Sequence, residues 1–491
     1  MATPAASQSR VIASSRRASP ELRRLAEQVF TRAAGAPLVG GNTVLILRDA
    51  GENYPAWLAA ISAARRSVLF ENYIIANDAV GREFVAALTE RANTGIAVRL
   101  IYDWMGALGV GTRSLLQPLL DAGGVVRCFN TPHIDSPFGW LTRDHRKMLT
   151  VDGTVGYVSG LCVSSKWQGN PGRGIDQWRD TGIEIRGPAV ADIERAFAQT
   201  WAAAAGDDID ELDVDLATDT PPAGDVLVRV LASQPTTAGM YRLDQMIAAM
   251  ASDTLWLTDA YFVGVAPYVQ ALRAAAMDGV DVRLLVPGAS DMPLLSRLSR
   301  SGYRPLLEAG IRVFEWNGAM LHAKTAVADG RWARVGSTNL NIASWISNYE
   351  LDVAIEDEGF ARRMQDMYEE DLANTTEIVL SDKRRVRPSA VPRRPAAGSS
   401  GRASRAAVGA LRIGNTVGAA FSSRRTLGPA ESGLMFTIAL GFLLLAVIAV
   451  VIPLAITLPL AALALWIAVT LLIRAWRTRK RGSGTPRTGG N

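Results

Sequence analysis

The chain has 491 residues, and its 52 Lys and Arg against 47 Asp and Glu give a formal net charge of +5. That small total hides an uneven distribution, because residues 381–491 carry 17 basic and only 2 acidic side chains, which leaves the first 380 residues acidic overall. An acidic body does not fit a protein that binds nucleic acid through a positive face. The chain contains 2 cysteines and 3 histidines, too few and too scattered for a disulfide framework or a metal-ligand motif, so we expect no metal and no cofactor.

Shifts in composition divide the chain into seven predicted segments. They are a basic, mobile N-terminal tail over 1–36, a first α/β repeat over 37–206, an acidic linker over 207–224, a second repeat over 225–380, a basic flexible tether over 381–432, a transmembrane hairpin over 433–473 and a basic tail over 474–491.

The two repeats have the same order of strand-like and helix-like runs. SVLFENYII, VGREFVAALTERANTG and IAVRLIYD in the first are matched by TLWLTDAYFV, VAPYVQALRAAAMDG and VDVRLLVPG in the second. Short β-branched runs that alternate with helical patterns are typical of α/β proteins. The sequence therefore predicts an internally duplicated α/β fold, with two repeats related by a pseudo-twofold axis.

Each repeat carries one copy of the pattern H-x-K-x4-D. The copies are DHRKMLTVDG, with His145, Lys147 and Asp152, and LHAKTAVADG, with His322, Lys324 and Asp329. In a strand, a histidine and a lysine two positions apart project from the same face, and a pseudo-twofold axis would bring both pairs into one pocket.

That set of side chains suits a phosphodiester. Two ammonium groups would hold the phosphoryl oxygens, so that no metal is needed for charge stabilisation. One neutral imidazole would attack phosphorus and form a phosphohistidine. The other, protonated, would donate to the leaving alcohol and later deprotonate the acceptor.

Residues 433–473 contain no charged side chain. This run is about twice the roughly 20 residues that one membrane-spanning helix needs. Pro453 and Pro459 near its middle would break a helix, so we expect two spans, near Leu434–Ile452 and Leu458–Ile473. Arginines and a lysine flank the run on both sides, which predicts that both ends lie in the cytoplasm.

The two motifs and their flanks resemble the phospholipase D superfamily, and in particular its two-motif bacterial cardiolipin synthases. The resemblance covers about residues 37–376 and includes PLVGGNTVLILRDAGENYPAWL, WRDTGIEIRGPAV and MLHAKTAVADGRWARVGSTNLN. It implies that His145 is the nucleophile and His322 the general acid and base. It also implies that Lys147, Lys324 and Asn339 bind the substrate phosphate.

The resemblance assigns supporting roles to four carboxylates. Asp152 and Asp329 complete the motifs and would be mainly structural. Asp180 and Glu350 would orient the imidazoles by hydrogen bonds, although exposed charges at strand ends are the competing interpretation.

The sequence departs from the family pattern in three places. Cys162 stands where an asparagine is expected, which removes one side-chain donor to phosphate. Asn341 stands where aspartate is common. The predicted membrane hairpin follows the catalytic body, whereas related synthases often carry such spans before the body or have none.

By this resemblance we expect a phosphatidyltransferase that moves a phosphatidyl group from phosphatidylglycerol to a second phospholipid hydroxyl and so makes cardiolipin. Its partners would be the membrane and anionic phospholipids, with phosphatidylethanolamine as an alternative lipid and no nucleic acid. It would lie at the bacterial inner (cytoplasmic) membrane with its body on the cytoplasmic side, and the oligomeric state stays open.

Other interpretations compete with transfer to a lipid. Hydrolysis of the same intermediate would release phosphatidic acid, a nuclease-type phosphodiesterase also occurs in the superfamily, and a membrane scaffold with a decayed site is the non-enzymatic alternative. A further hypothesis places Arg297, Arg300 and Arg304 on one helix face against anionic headgroups, with an ordinary solvated helix face as its alternative.

Overall fold

The computed structural model describes residues 20–132, 141–205, 212–218, 220–380 and 386–388, together with isolated helical positions between 440 and 472. Across these residues no helix is both long and apolar enough to cross a bilayer. Most of the predicted hairpin over 433–473 lies outside the described residues, and so does His133.

The described residues of the first half contain seven strands. They are β1 (Val39–Arg48), β2 (Ser67–Asn72), β3 (Ala97–Asp103), β4 (Val125–Phe129), β5 (Lys147–Val151), β6 (Val155–Ser159) and β7 (Thr181–Arg186). The helices up to the linker are α1 (Pro20–Ala34), α2 (Asp49–Ala63), α3 (Ala79–Asn93), α4 (Thr112–Leu115), α5 (Gln117–Asp121), α6 (Ser165–Gln168) and α7 (Ala189–Ala204).

The described part of the second half repeats this plan and adds two strands. Its strands are β8 (Val226–Ser233), β9 (Thr254–Thr258), β10 (Asp281–Pro287), β11 (Arg312–Trp316), β12 (Thr325–Ala328), β13 (Trp332–Gly336), β14 (Glu350–Glu356), β15 (Thr375–Leu380) and β16 (Val386–Pro388). Its helices are α8 (Gly239–Met250), α9 (Ala266–Met277), α10 (Pro293–Ser301), α11 (Tyr303–Glu308) and α12 (Glu358–Leu372), with a π-helical turn at Ala343–Ser347.

The strand order shows the duplication directly. One continuous sheet runs β16-β15-β11-β10-β9-β12-β13-β14-β8-β1-β7-β6-β5-β2-β3-β4, and it reads the same outward from the central antiparallel pair of β1 and β8 as far as β4 and β11. In each half three parallel strands are followed by antiparallel ones. This topology confirms the α/β class and the expected pseudo-twofold relation, whereas the segment boundaries remain a prediction.

The motif-bearing strands are buried along their whole length. All residues of β5, β6, β12 and β13 are buried. A central apolar core joins both repeats through α7 and α12, and each repeat has an outer core of its own. Because strands covered on both faces are held rigidly, the ends of these strands are fixed platforms for side chains.

Two expected flexible segments contain ordered structure. The tail expected over 1–36 includes helix α1, because the buried guanidinium of Arg229 on β8 binds its Glu27 at 2.8 Å and its Thr31 at 3.1 Å. The tether expected over 381–432 includes β16, which pairs with β15 through the main chain. The contacts of α1 come from a strand distant in sequence, whereas β16 pairs with the strand that precedes it.

The arginine face expected near residue 300 is wrong. Helix α10 ends at Ser301 and α11 begins at Tyr303, so the three arginines do not share one helix. Arg300 forms a two-pronged ion pair of 2.6 Å with the buried carboxylate of Glu315, and Arg304 binds Glu308 at 2.8 Å. These carboxylates already occupy two of the three side chains that the headgroup hypothesis needs.

Candidate active site

The two histidines lie just before strands β5 and β12, where each is held by the main chain of the opposite repeat. The amide of His145 donates to the carbonyl of Tyr349 at 2.9 Å, and the amide of His322 donates to the carbonyl of Arg179 at 2.7 Å. Isolated parallel bridges mark both crossings. Each histidine therefore lies beside the residue that precedes the carboxylate of the other half.

The imidazoles and carboxylates are paired across the repeats. His145 Nδ1 donates to Glu350 Oε2 at 2.9 Å, and His322 Nδ1 donates to Asp180 Oδ2 at 2.8 Å. Neither carboxylate is exposed, and the imidazole side chains are 12% and 5% exposed. A carboxylate bound to Nδ1–H fixes the tautomer that leaves Nε2 with its lone pair, so Nε2 is the reactive nitrogen of both rings.

The two lysines lie behind the imidazoles, against aromatic rings. Each ammonium donates to the main-chain carbonyl of the histidine two residues before it. Lys147 Nζ lies 5.2 Å from the ring centre of Tyr73, and Lys324 Nζ lies 5.8 Å from that of Tyr261. Lys324 Nζ is also 3.1 Å from Nε2 of His322. The ammonium of Lys324 is thus held close to the reactive nitrogen of His322.

Burial controls the protonation of the site. Desolvation lowers the pKa of His145 to about 4 and that of His322 to about 3, with the neighbouring lysines acting in the same direction against the carboxylates. Desolvation would raise the pKa values of Asp180 and Glu350, but the histidines and lysines outweigh it and lower both. At neutral pH the site therefore holds neutral imidazoles and ionised carboxylates.

Desolvation also lowers the pKa of Lys324 to about 8, with the charge of Lys147 contributing in the same direction. An added negative charge in this pocket would stabilise the ammonium. The pocket is therefore suited to an anion that approaches the lysines.

Asn339 and Cys162 occupy equivalent places after the two motifs, and they differ in what they offer. Asn339 is buried, and its Oδ1 has no hydrogen-bond partner within the part of the chain that the structure describes. Cys162 is also buried, and it offers a thiol instead of an amide. Burial raises the pKa of that thiol. Only the second repeat therefore presents an amide side chain at this position.

The motif aspartates do not join the site. Asp152 accepts from the main-chain amides of Arg65, Arg66 and Ser67, at the end of β5 remote from the histidine. The carboxylate of Asp329 accepts in the same way from the main-chain amides that lead into β9. Both have left-handed φ values, of 55° and 51°. Their carboxylates fix the turn after one strand to the start of the neighbouring strand.

Sequence reasoning missed Arg146, between the first histidine and lysine. Its guanidinium is fully buried and donates to the carbonyl of Glu350 at 3.2 Å, to Thr200 Oγ1 at 2.9 Å and to the carbonyl of Ser233 at 3.1 Å. It therefore holds Glu350 in place from the opposite repeat. Its position inside the motif could have indicated a role in the site. A charged residue in a strand pattern, however, ordinarily indicates an exposed side chain.

Four aromatic rings around the imidazoles were also missed as a group. Tyr73 lies 5.1 Å from His145, and Trp167, Tyr261 and Trp178 lie 5.1, 5.7 and 5.9 Å from His322 by ring centres. The equivalent placement of Tyr73 and Tyr261 in the repeats was a usable signal. The tryptophans had none, because they are close to His322 only after folding.

Comparison with known proteins agrees with this geometry. Residues 244–372 match the family model described as "Cardiolipin synthase, PLD-like domain". The chain is 33% identical to cardiolipin synthase A of Pseudomonas fluorescens strain SBW25 over 361 residues, which are 72% of this chain and 73% of that protein. The chain belongs to the phospholipase D-like cardiolipin synthase family. It is therefore an enzyme of the phospholipase D phosphatidyltransferase class.

Two further comparisons extend this finding. Cardiolipin synthase A of Pseudomonas aeruginosa strain LESB58 is 33% identical over 73% of each chain. The fold of the present chain is similar to that of a phosphatidylserine synthase from Haemophilus influenzae. The TM-score is 0.55 and the identity 14%, and the match covers 71% of this chain and 92% of that one. At that identity the likeness concerns the fold alone.

Proposed function

We propose that the protein is a membrane-associated cardiolipin synthase that transfers a phosphatidyl group from phosphatidylglycerol to the hydroxyl of a second phospholipid. The observation that carries the proposal is the crossed pair of carboxylate–histidine hydrogen bonds beside two buried lysines. Family membership supports the choice of a phospholipid as substrate.

In the first step the lone pair on Nε2 of His145 attacks phosphorus, and the bond from phosphorus to the glycerol oxygen breaks. The leaving oxygen takes its proton from Nε2 of His322, so that glycerol leaves as a neutral alcohol. Glu350 stabilises the positive charge that develops on His145, since its carboxylate accepts the Nδ1–H. The product on the enzyme is a phosphatidylhistidine.

In the second step the bond from phosphorus to His145 breaks, and a new bond from phosphorus to oxygen forms. The neutral His322 takes the proton of the incoming lipid hydroxyl, whose oxygen attacks phosphorus and displaces Nε2 of His145. Cardiolipin then leaves, and the proton remains on His322 for the next cycle. No proton or electron pair is left unaccounted for.

Binding of the anionic substrate favours the protonated form of His322, which the free site lacks. Burial and the lysines keep His322 neutral at physiological pH. A phosphodiester beside the lysines neutralises part of their charge and raises the pKa of the general acid. Lys147, Lys324 and Asn339 are the side chains that we assign to its oxygens.

The proposal is tested by expressing the protein in cells that lack their own cardiolipin synthases and analysing their lipids. We expect cardiolipin to appear with the unchanged sequence and with Asp213→Asn, an exposed carboxylate variant, and to be absent with His145→Ala. Unchanged lipids with the unaltered protein would contradict the proposal.

Purified enzyme given phosphatidylglycerol and a labelled primary alcohol distinguishes transfer from hydrolysis. A labelled phosphatidyl product supports transfer. Phosphatidic acid as the dominant product would instead support the hydrolase, in which water resolves the same intermediate.

A further inference from the structure

Asp180 and Glu350 have equivalent roles, but they do not receive equivalent hydrogen bonds. Glu350 accepts from the hydroxyl of Ser337 at 2.6 Å and from the amide of Asn348 at 3.0 Å, in addition to His145. The position equivalent to Ser337 in the first repeat is Gly160, which has no hydroxyl to donate. Asp180 must therefore obtain its second side-chain donor from elsewhere.

No larger residue than glycine fits at that place. A Cβ atom on Gly160 would lie 2.2 Å from Asp180 Oδ1, closer than any van der Waals contact allows. The side chain of Asp180 thus occupies the space in which a serine at position 160 would stand. The asymmetry between the repeats is built into the packing of Gly160 against the Asp180 side chain.

Trp167 supplies the missing donor. Its indole Nε1–H donates to Asp180 Oδ2 at 2.9 Å, the same oxygen that accepts from His322 at 2.8 Å, while the amide of Thr181 donates to Oδ1 at 2.8 Å. Its ring also packs edge-on against the imidazole of His322, with centroids 5.1 Å apart. The tryptophan therefore touches both members of the pair.

Trp167 is itself held from two directions. It is 3% exposed, and it lies on the short helix α6. The carboxylate of Asp78 binds the start of this helix through the hydroxyl of Ser164 at 2.9 Å and the amide of Ser165 at 2.7 Å. The amide of Trp178 donates to the Trp167 carbonyl at 3.1 Å. A donor fixed in this way can hold its acceptor in one orientation.

We propose that Trp167 is a positioning residue for the general acid and base: its indole N–H holds the Asp180 carboxylate at the angle that orients the His322 imidazole. The role replaces, in the first repeat, the side-chain donors that Glu350 receives in the second. As far as it concerns the rate of phosphatidyl transfer, the inference rests on the proposed function.

The test is Trp167→Phe, which removes the N–H and keeps an aromatic ring. The matched control is Trp57→Phe, because Trp57 is equally buried and its indole nitrogen has no hydrogen-bond partner among the described residues. We expect kcat to fall about tenfold with Trp167→Phe, the effect of losing one hydrogen bond to a charged group, with little change in KM. The limb of the pH–rate profile that reports the general acid should shift along the pH axis in Trp167→Phe. The control Trp57→Phe should change neither kcat nor this limb.

A second readout does not depend on activity. The chain has 3 histidines, so the 15N signals of labelled imidazoles can be assigned with single His variants. We expect Trp167→Phe to shift the signals of His322 and to leave those of His145 in place. Unshifted His322 signals, or the same shift with Trp57→Phe, would overturn the inference. This result stands even if the unaltered enzyme makes no cardiolipin, so the two proposals can fail separately.

Discussion

The crossed pairing makes a sharp prediction about which carboxylate serves which chemical role. Asp180→Asn should impair the general acid His322, although the two residues lie in different repeats, and Glu350→Gln should impair the nucleophile His145. Both substitutions keep the shape of the side chain and remove its charge.

The size of the effect follows from the contacts of Asp180. An asparagine that keeps its oxygen toward His322 and Trp167 turns its NH2 toward the amide of Thr181, so that two donors face each other. The loss of the charge also removes an attraction to the imidazolium of about 4 kcal/mol at an effective dielectric constant of 20 and a separation of 4 Å. We expect kcat on phosphatidylglycerol to fall by about 100- to 1,000-fold.

The leaving group decides the assignment. A phosphatidyl ester of p-nitrophenol needs no proton on its departing oxygen, so the first step should recover in Asp180→Asn and appear as a burst of nitrophenol. Glu350→Gln should stay slow on both esters, because its defect lies in the attacking imidazole. Rapid-mixing absorbance measurements with Asp213→Asn as a charge-loss control give the comparison. Recovery in Glu350→Gln instead of Asp180→Asn would refute our assignment of nucleophile and acid.

Three further outcomes are expected. Cys162→Asn should raise kcat/KM for phosphatidylglycerol about fivefold, since an amide donor returns to the first repeat, and unchanged steady-state kinetics in a folded variant would contradict this. Asp152→Asn should destabilise the fold by about 2 kcal/mol, because it weakens several main-chain hydrogen bonds; calorimetric melting without a loss of stability would show that the turn does not need the charge. The free energy of unfolding should fall as the pH drops from about 6.5 toward 4. In this range the histidines bind protons in the unfolded chain, whereas His145 and His322 stay neutral in the folded protein. The double His→Asn variant should therefore lose less melting temperature between pH 7 and 5, and an equal loss would count against buried neutral imidazoles.

Much of the fold was accessible from the sequence because it depends on local patterns. Alternating strand and helix signals, and their repetition from SVLFENYII to TLWLTDAYFV, are enough to predict two α/β halves. The site residues His145, Lys147, His322 and Lys324 were equally accessible, since strand geometry places residues two apart on one face. Helix α1 was not predictable in this way, because its contacts come from Arg229 on the distant strand β8.

By itself, the sequence determined the family, the duplicated motif and the chemistry that two histidines and two lysines can perform. Only the tertiary structure decided that each imidazole is oriented by a carboxylate from the other repeat, over 142 and 205 residues of chain. The physical reason is the central antiparallel pairing of β1 and β8, which joins the repeats in one sheet with a pseudo-twofold relation and so fixes which strand ends meet. The role of Trp167 was also decided by the tertiary structure. Gly160 offers no hydroxyl to Asp180, and only the fold brings the indole of Trp167 to that carboxylate.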